Sequence, residues 1–238
     1  MLSAVDDHGR LSEDGAAALA AEALALVRSG EVVGLGTGQA ATAFVRGLGQ
    51  RAAAGLDVRG VATSEATAEL ARRLGIKLVA LDDTAVIDVA VDGADEVDPQ
   101  ANLIKGYGGA LLREKVVAAA ARRFVVLVGA EKLVPILGAR GRLPVEVIPF
   151  AAGFCRRRLE ALGCAADVRR SEGQPVATDN GNLLLDCRVR EIPDPARLDA
   201  TLRAIPGVVA TGLFLGMTAT VLVWDGDRCR ALRPATPN

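Results

Sequence analysis

An α/β fold, a parallel sheet covered by helices on both faces with a smaller α+β unit attached, is predicted by three features of this 238-residue chain. Short apolar runs alternate with helix-length segments as far as about residue 128. Several of those runs are continuously apolar, as strands buried on both faces require. After about residue 143 the strict alternation lapses, and strands follow one another with fewer helices between them.

The elements follow in order. Residues 12–27 are rich in Ala and Leu, and Ser12 with Asp14 can cap a helix that ends near Gly30. A strand at 32–35 leads through glycines into a helix at 40–48. A strand at 58–62 precedes a helix at 65–74. Strands at 78–81 and 86–91 follow, then a helix at 111–121, apolar nearly all round after its first turn and so expected to be buried. Another strand occupies 124–128. In the second part, strands are expected at 145–148, 165–170, 183–189 and 208–211, with helices at 152–162 and 195–203. The run 219–224 returns to the main sheet. The expected division is 1–143 with 216–238 as the main unit and 144–215 as the small one.

Composition narrows the function. Half of the residues are hydrophobic and the formal charge is −1, so a substantial core is expected and no general attraction to nucleic acid or anionic membrane. Aromatics at 3% argue against a base-stacking platform. The stretch 204–224 carries no charge, but Pro206, three glycines and three threonines fit two buried strands with turns better than a membrane helix. Cys155, Cys164, Cys187 and Cys229 form no CxxC pair, and His8 is the one histidine. Reduced thiols in a cytoplasmic protein are therefore expected, without a zinc site. Any general base is a carboxylate, Lys, Tyr or Cys.

Polar and glycine-rich loops follow four separate strands: Gly34-Leu35-Gly36-Thr37-Gly38, Thr63-Ser64-Glu65, Asp92-Gly93-Ala94-Asp95 and Glu131-Lys132. In an open parallel sheet such loops share the carboxyl edge, where ligands bind. Gln39 stands where a dinucleotide fingerprint needs glycine, and Thr63-Ser64 where it needs an acid, so NAD binding is not expected. Backbone amides of the first loop and the helix start at Gln39 and Ala40 can still hold an anion. Asp92 directly follows a buried strand. Asp98 before Pro99 reads as an Asx turn. Glu114 lies on an apolar helix face beside Leu111, Val117 and Ala118, where a carboxylate is costly unless used or paired, with Arg113 and Lys115 as neighbouring candidates. Of four lysines, Lys132 falls in these loops and Lys105 opens the glycine cluster of Gly106, Gly108 and Gly109.

The strings GLGTG, TSEAT, VDGADEVD, IKGYGGALLREK, LPVEVIPF, TDNGNLLLD and PGVVATGLF, in this order, resemble ribose-5-phosphate isomerase of the A type over about 12–224. The resemblance implies a Rossmann-like main domain with an inserted α+β domain, a homodimer or homotetramer, and aldose–ketose isomerisation of a small sugar phosphate in the pentose phosphate pathway, with no metal or organic cofactor. By position it makes Glu114 the base between C1 and C2, and Lys105 the partner of the enediolate oxygen. Asp92 and Asp95 would contact sugar hydroxyls and assist ring opening. Gly36, Thr37, Gly38, Gln39, Ala40, Thr63, Ser64, Gly106, Gly108, Gly109 and Lys132 would bind substrate. Moving a carbonyl by one carbon needs one base that returns its proton and a donor where oxyanion charge develops.

Three positions depart from the family's usual pattern: Gln39 and Ala40 replace hydroxyl residues, Tyr107 interrupts a glycine run, and 11–27 has no basic residue. They motivate an alternative, an isomerase of a related pentose with weakened phosphate recognition. A non-catalytic sugar-phosphate sensor is a third reading; it would have no need of Glu114.

Overall fold

The computed structural model describes residues 11–81 and 86–232; His8 lies outside them. In chain order the elements are α1 (Glu13–Leu24), β1 (Val32–Leu35), α2 (Gln39–Ala53), β2 (Arg59–Ala62), α3 (Glu65–Arg73), β3 (Lys77–Leu78), β4 (Val89–Gly93), β5 (Glu96–Val97), β6 (Leu103–Ile104), α4 (Leu111–Ala120) and β7 (Phe124–Gly129). There follow β8 (Arg142–Val147), α5 (Ala152–Ala161), β9 (Ala166–Val168), β10 (Arg170–Ser171), β11 (Gln174–Pro175), β12 (Leu183–Arg188), α6 (Pro195–Arg203), β13 (Val208–Thr211), β14 (Leu213–Phe214), β15 (Thr220–Trp224) and β16 (Cys229–Leu232).

Seven strands form the main sheet in the order β16-β15-β7-β4-β1-β2-β3. All neighbours are parallel except β16, which runs antiparallel to β15. Alternation along β7 explains why the strand is apolar throughout. Val125 and Leu127 pack with Leu19, Phe44 and Leu48 of α1 and α2, while Phe124, Val126 and Val128 pack on the other face with Val117 of α4 and Phe214. The chain winds from β1 outward to β3 and then returns to β4 on the other side of β1. That reversal opens a crevice at the carboxyl ends of β1 and β4.

A four-stranded antiparallel sheet, β13-β8-β12-β9, has its own core, in which Leu143, Val145 and Val147 meet Cys155, Leu159 and Leu185. A three-stranded sheet, β14-β6-β5, carries the loop that begins at Lys105.

Several expected boundaries move. Ser12 caps α1 by accepting from the Gly15 amide at 3.1 Å, but the helix stops at Leu24. Its end tightens into three-residue bonds, Leu26 to Ala23 and Val27 to Leu24. α2 runs past residue 48 to Ala53, through Gly47 and Gly49. A Cβ at these glycines would come within 2.5 Å of Leu24 Cδ1 and 2.7 Å of Leu74 Cβ. They are there for close helix packing. The uncharged stretch 204–224 forms three strands, not two, because two-residue β14 pairs with β6 between β13 and β15. No described helix is long and apolar enough to cross a membrane.

Candidate active site

Asp92 sits inside β4, Lys105 follows β6, and Glu114 lies in the first turn of α4; three elements distant in sequence meet in one buried cluster. Asp92 is 2% exposed, Lys105 3% and Glu114 5%. Lys105 Nζ lies 3.1 Å from Asp92 Oδ2 and 3.3 Å from Glu114 Oε2, and donates to the Gly93 carbonyl at 2.5 Å. Glu114 Oε2 has no hydrogen-bond partner. Neither Arg113 nor Lys115, its sequence neighbours, pairs with it.

Burial sets the protonation of this cluster. It pushes the Glu114 carboxyl up to about 8, with the Asp92 charge adding to the rise and Lys105 opposing it. Asp92 is raised as well, by burial above all. For Lys105 burial alone would lower the value, but Asp92, Glu114 and Asp95 outweigh it and hold the ammonium above its ordinary range. The cluster therefore keeps a cation beside a carboxyl poised to take up or release a proton near neutral pH.

The crevice between β1 and β4 supplies a second group of contacts. The Thr37 amide donates to Asp92 Oδ1 at 3.0 Å, tying the first loop to the cluster. The Thr37 hydroxyl donates to Ser64 Oγ at 2.9 Å and lies 2.9 Å from Thr63 Oγ1. Ser64 in turn donates to Thr67 Oγ1, and Thr67 to the Gly36 carbonyl, each at 3.0 Å. Gly36 itself faces Asp92: a Cβ there would stand 2.4 Å from Oδ1. Gly38 adopts φ +107°, a left-handed conformation suited to glycine, and opens α2 with no side-chain cap and no acid in the first turn. The first amides of α2 are thus available to an anion.

A third group is set by arginines that the sequence reading did not single out. Arg169 donates through Nη1 to the carbonyls of Gly106 and Tyr107 at 2.9 and 3.0 Å, and pairs with Asp186 through Nε and Nη2. Arg142 also donates to Asp186, at 2.8 Å, and lies 4.7 Å from the Tyr107 ring. The Tyr107 amide donates to Asp95 Oδ2 at 2.9 Å, and its hydroxyl donates to the Arg142 carbonyl at 3.1 Å. The glycine loop is thereby clamped to the antiparallel sheet. Arg169 lies outside the recognisable strings, and Asp186 closes TDNGNLLLD without its pairing being evident there, because the partners lie 17 to 63 residues away: the Gly106 and Tyr107 carbonyls for Arg169, and the Arg142 and Arg169 side chains for Asp186.

A cavity of about 260 Å³ opens beside these groups. Its lining includes Thr37, Gly38, Gln39, Ala40, Asp95, Lys105, Gly106, Gly108, Glu114 and Lys132, together with Leu11 and Glu131, which the sequence reading did not nominate as site residues. Asp92, Gly36, Thr63, Ser64 and Gly109 are not on its wall. Asp92 lies beneath, holding Lys105 and the Thr37 amide, a different placement from the expected sugar contact. Tyr107 also faces away from the cavity. Gln39 turns its amide aside, with Nε2 donating to the Leu11 carbonyl at 2.7 Å. Among the described residues no three His, Cys, Asp or Glu side chains cluster so as to hold a metal ion.

The sequence pattern of the family described as Ribose 5-phosphate isomerase A (phosphoriboisomerase A) matches residues 59–228. Ribose-5-phosphate isomerase A of Roseiflexus sp. (strain RS-1) is 55% identical over 211 residues, covering 87% of this chain and 91% of that protein. The structure of ribose 5-phosphate isomerase A from Methanocaldococcus jannaschii superposes with a TM-score of 0.88 at 41% identity, covering 93% of this chain and 99% of the other. A D-ribose-5-phosphate isomerase in complex with phospho-erythronic acid gives 0.89 at 38% identity, covering 93% and 98%.

Proposed function

On the premise that the chain belongs to the ribose 5-phosphate isomerase A family, we propose that it interconverts D-ribose 5-phosphate and D-ribulose 5-phosphate through an enediolate. The observation that carries this reading is the Glu114 carboxylate 3.3 Å from the Lys105 ammonium, both on the cavity wall.

In the aldose-to-ketose direction Glu114 takes the proton from C2 and returns it at C1, while the hydroxyl proton of O2 passes to O1. Lys105 stabilises the oxygen on which negative charge grows, a contribution of about 10²–10³-fold for one well-placed donor. Asp95, on the wall, accepts from a sugar hydroxyl and assists ring opening. Asp92 holds Lys105 and the Thr37 loop in register. The phosphate takes the amides at the start of α2, with Thr37 and Lys132 beside it. Phospho-erythronic acid in the 38%-identical relative supports this chemistry, because a sugar-acid carboxylate is planar and doubly oxygenated like an enediolate. Tyr107, pointing away, gives no reason for an altered sugar preference; Gln39 and Ala40, on the wall, keep the related-pentose reading testable.

Four free thiols support action in the reducing cytoplasm. The exposed apolar residues Ile148, Phe150, Phe154 and Val209 support assembly of two or more copies. The residues 144–215 are then a second domain that serves both that assembly and the clamp on the glycine loop.

The test is kcat/KM for ribose 5-phosphate against unphosphorylated ribose, followed by ribulose product formation with EDTA present. A preference of at least about 10²-fold for the ester is expected from a built anion site. Equal values for the two sugars would overturn the assignment.

A further inference from the structure

Two cations flank Glu114 in the chain, and both are engaged elsewhere. Arg113 spreads its guanidinium over three acceptors: Nη1 donates to Glu65 Oε1 at 2.8 Å, Nη2 to the Asp179 carbonyl at 3.0 Å and Nε to Asn180 Oδ1 at 3.0 Å. The Glu65 amide, at the start of α3, donates to Asp179 Oδ2 at 2.8 Å. One guanidinium thus joins the first turn of α4, the start of α3 and the turn at 178–182. That turn is held from within by Glu146 of β8, which is 0% exposed. Glu146 Oε1 accepts from Thr178 Oγ1 and Asn182 Nδ2, each at 2.9 Å. On the other flank, Lys115 Nζ donates to the Leu213 carbonyl at 2.8 Å and lies 4.9 Å from the Phe214 ring.

The helix needs such outside support. Its N-cap is Ala110, which offers no side chain to the first amides. Arg113 is not on the cavity wall, and residues one apart on a helix do not face the same partner. Its influence on Glu114 therefore passes through the orientation of the turn itself. We infer that Arg113 is a positioning residue for the proton transfer: gripping Glu65, Asp179 and Asn180, it fixes the first turn of α4 so that the Glu114 carboxylate faces Lys105 and the cavity. The inference rests on Glu114 being the base.

The experiment compares Arg113→Ala, Arg113→Lys and Asn180→Ala with wild type on ribose 5-phosphate from pH 6 to 10, with Glu114→Gln as reference. A misplacement of about 1 Å costs up to about 10²-fold, so Arg113→Ala should lower kcat by about 10- to 100-fold and Asn180→Ala, which removes one grip of three, by about 3- to 10-fold, each leaving KM within about threefold. The rising limb of the pH profile should move to lower pH as Glu114 becomes more hydrated. Arg113→Lys should recover little, since one ammonium does not span three acceptors. Folded Arg113→Ala and Asn180→Ala with wild-type kcat and limb, or with a change in KM alone, would overturn the inference. Should Arg113→Ala fail to fold, Asn180→Ala, which leaves two of the three grips intact, decides by the same readings. An active Glu114→Gln strikes the base assignment itself, whereas an inactive one beside an unaffected Arg113→Ala strikes only the positioning role.

Discussion

Replacing Lys105 by Met would leave the carboxylates of Asp92 and Glu114 buried without the ammonium that now stands 3.1 and 3.3 Å from them. Removing one partner from a buried ion pair typically costs about 3–5 kcal/mol. Lys105→Met should therefore unfold at markedly lower urea, and its kcat should fall by about 10²–10³-fold; a loss confined to KM would contradict an enediolate role. The same cluster fixes a pH dependence. A base must be deprotonated to act, so with Glu114 at about 8 kcat/KM should climb as pH rises through that value, and a flat profile from 6 to 9 would refute it. Stability runs the other way. The folded value lies above the ordinary 4.5, so the folded state binds the extra proton between about 4.5 and 8. The associated stability is complete below that window and lost as pH rises through about 8. Urea midpoints across pH 5–9 should fall for wild type and fall less for Glu114→Gln. At this scale the sequence marked Glu114 as a carboxylate on an apolar face, but its partner was hidden. Arg113 and Lys115 were the adjacent candidates, whereas the real partner, Lys105, is brought in by tertiary packing.

At the scale of elements, the two loops that end β1 and β4 are built against each other. A Cβ at Gly36 would meet Asp92 Oδ1 at 2.4 Å and the Val91 carbonyl at 2.5 Å. Gly36→Ala should thus push Asp92 away from Lys105 and the Thr37 amide, lowering both kcat and the thermal midpoint, although Gly36 is not on the cavity wall. Wild-type activity in that variant would show that the loop does not position the cluster. Some elements were legible in full: α6 at Pro195–Arg203, behind its Asp-Pro start, and the continuously apolar β1 at Val32–Leu35 fall where the sequence put them. Asp98 also behaves as an Asx turn, accepting from the amides of Gln100 and Asn102. The two-residue strands β5, β6 and β14 were not legible, because a pair of residues carries no period; they form only through pairing with one another. The extension of α2 to Ala53 was missed because glycine in a helix reads as a weak point until its neighbours are known.

For the whole molecule, the alternation of strands and helices was enough to place four polar loops on one sheet edge. The strand order then brings the loops of β1 and β4 together at the reversal. What the order alone did not reveal is the second support of the site, the antiparallel sheet whose Arg169 and Asp186 hold the glycine loop and whose Glu146 holds the turn that grips Arg113. These contacts join segments 17 to 63 residues apart through side-chain as well as backbone acceptors, and no helical or strand period encodes them. In the proposed reaction this framework presents one carboxylate, Glu114, to two neighbouring carbons. The most direct measurement is turnover of Glu114→Gln on ribose 5-phosphate, paired with calorimetric binding of the same sugar phosphate. Loss of at least about 10²-fold in kcat, with affinity kept within a few-fold, is the predicted result. A variant that binds normally and keeps more than about a tenth of wild-type turnover would contradict the account.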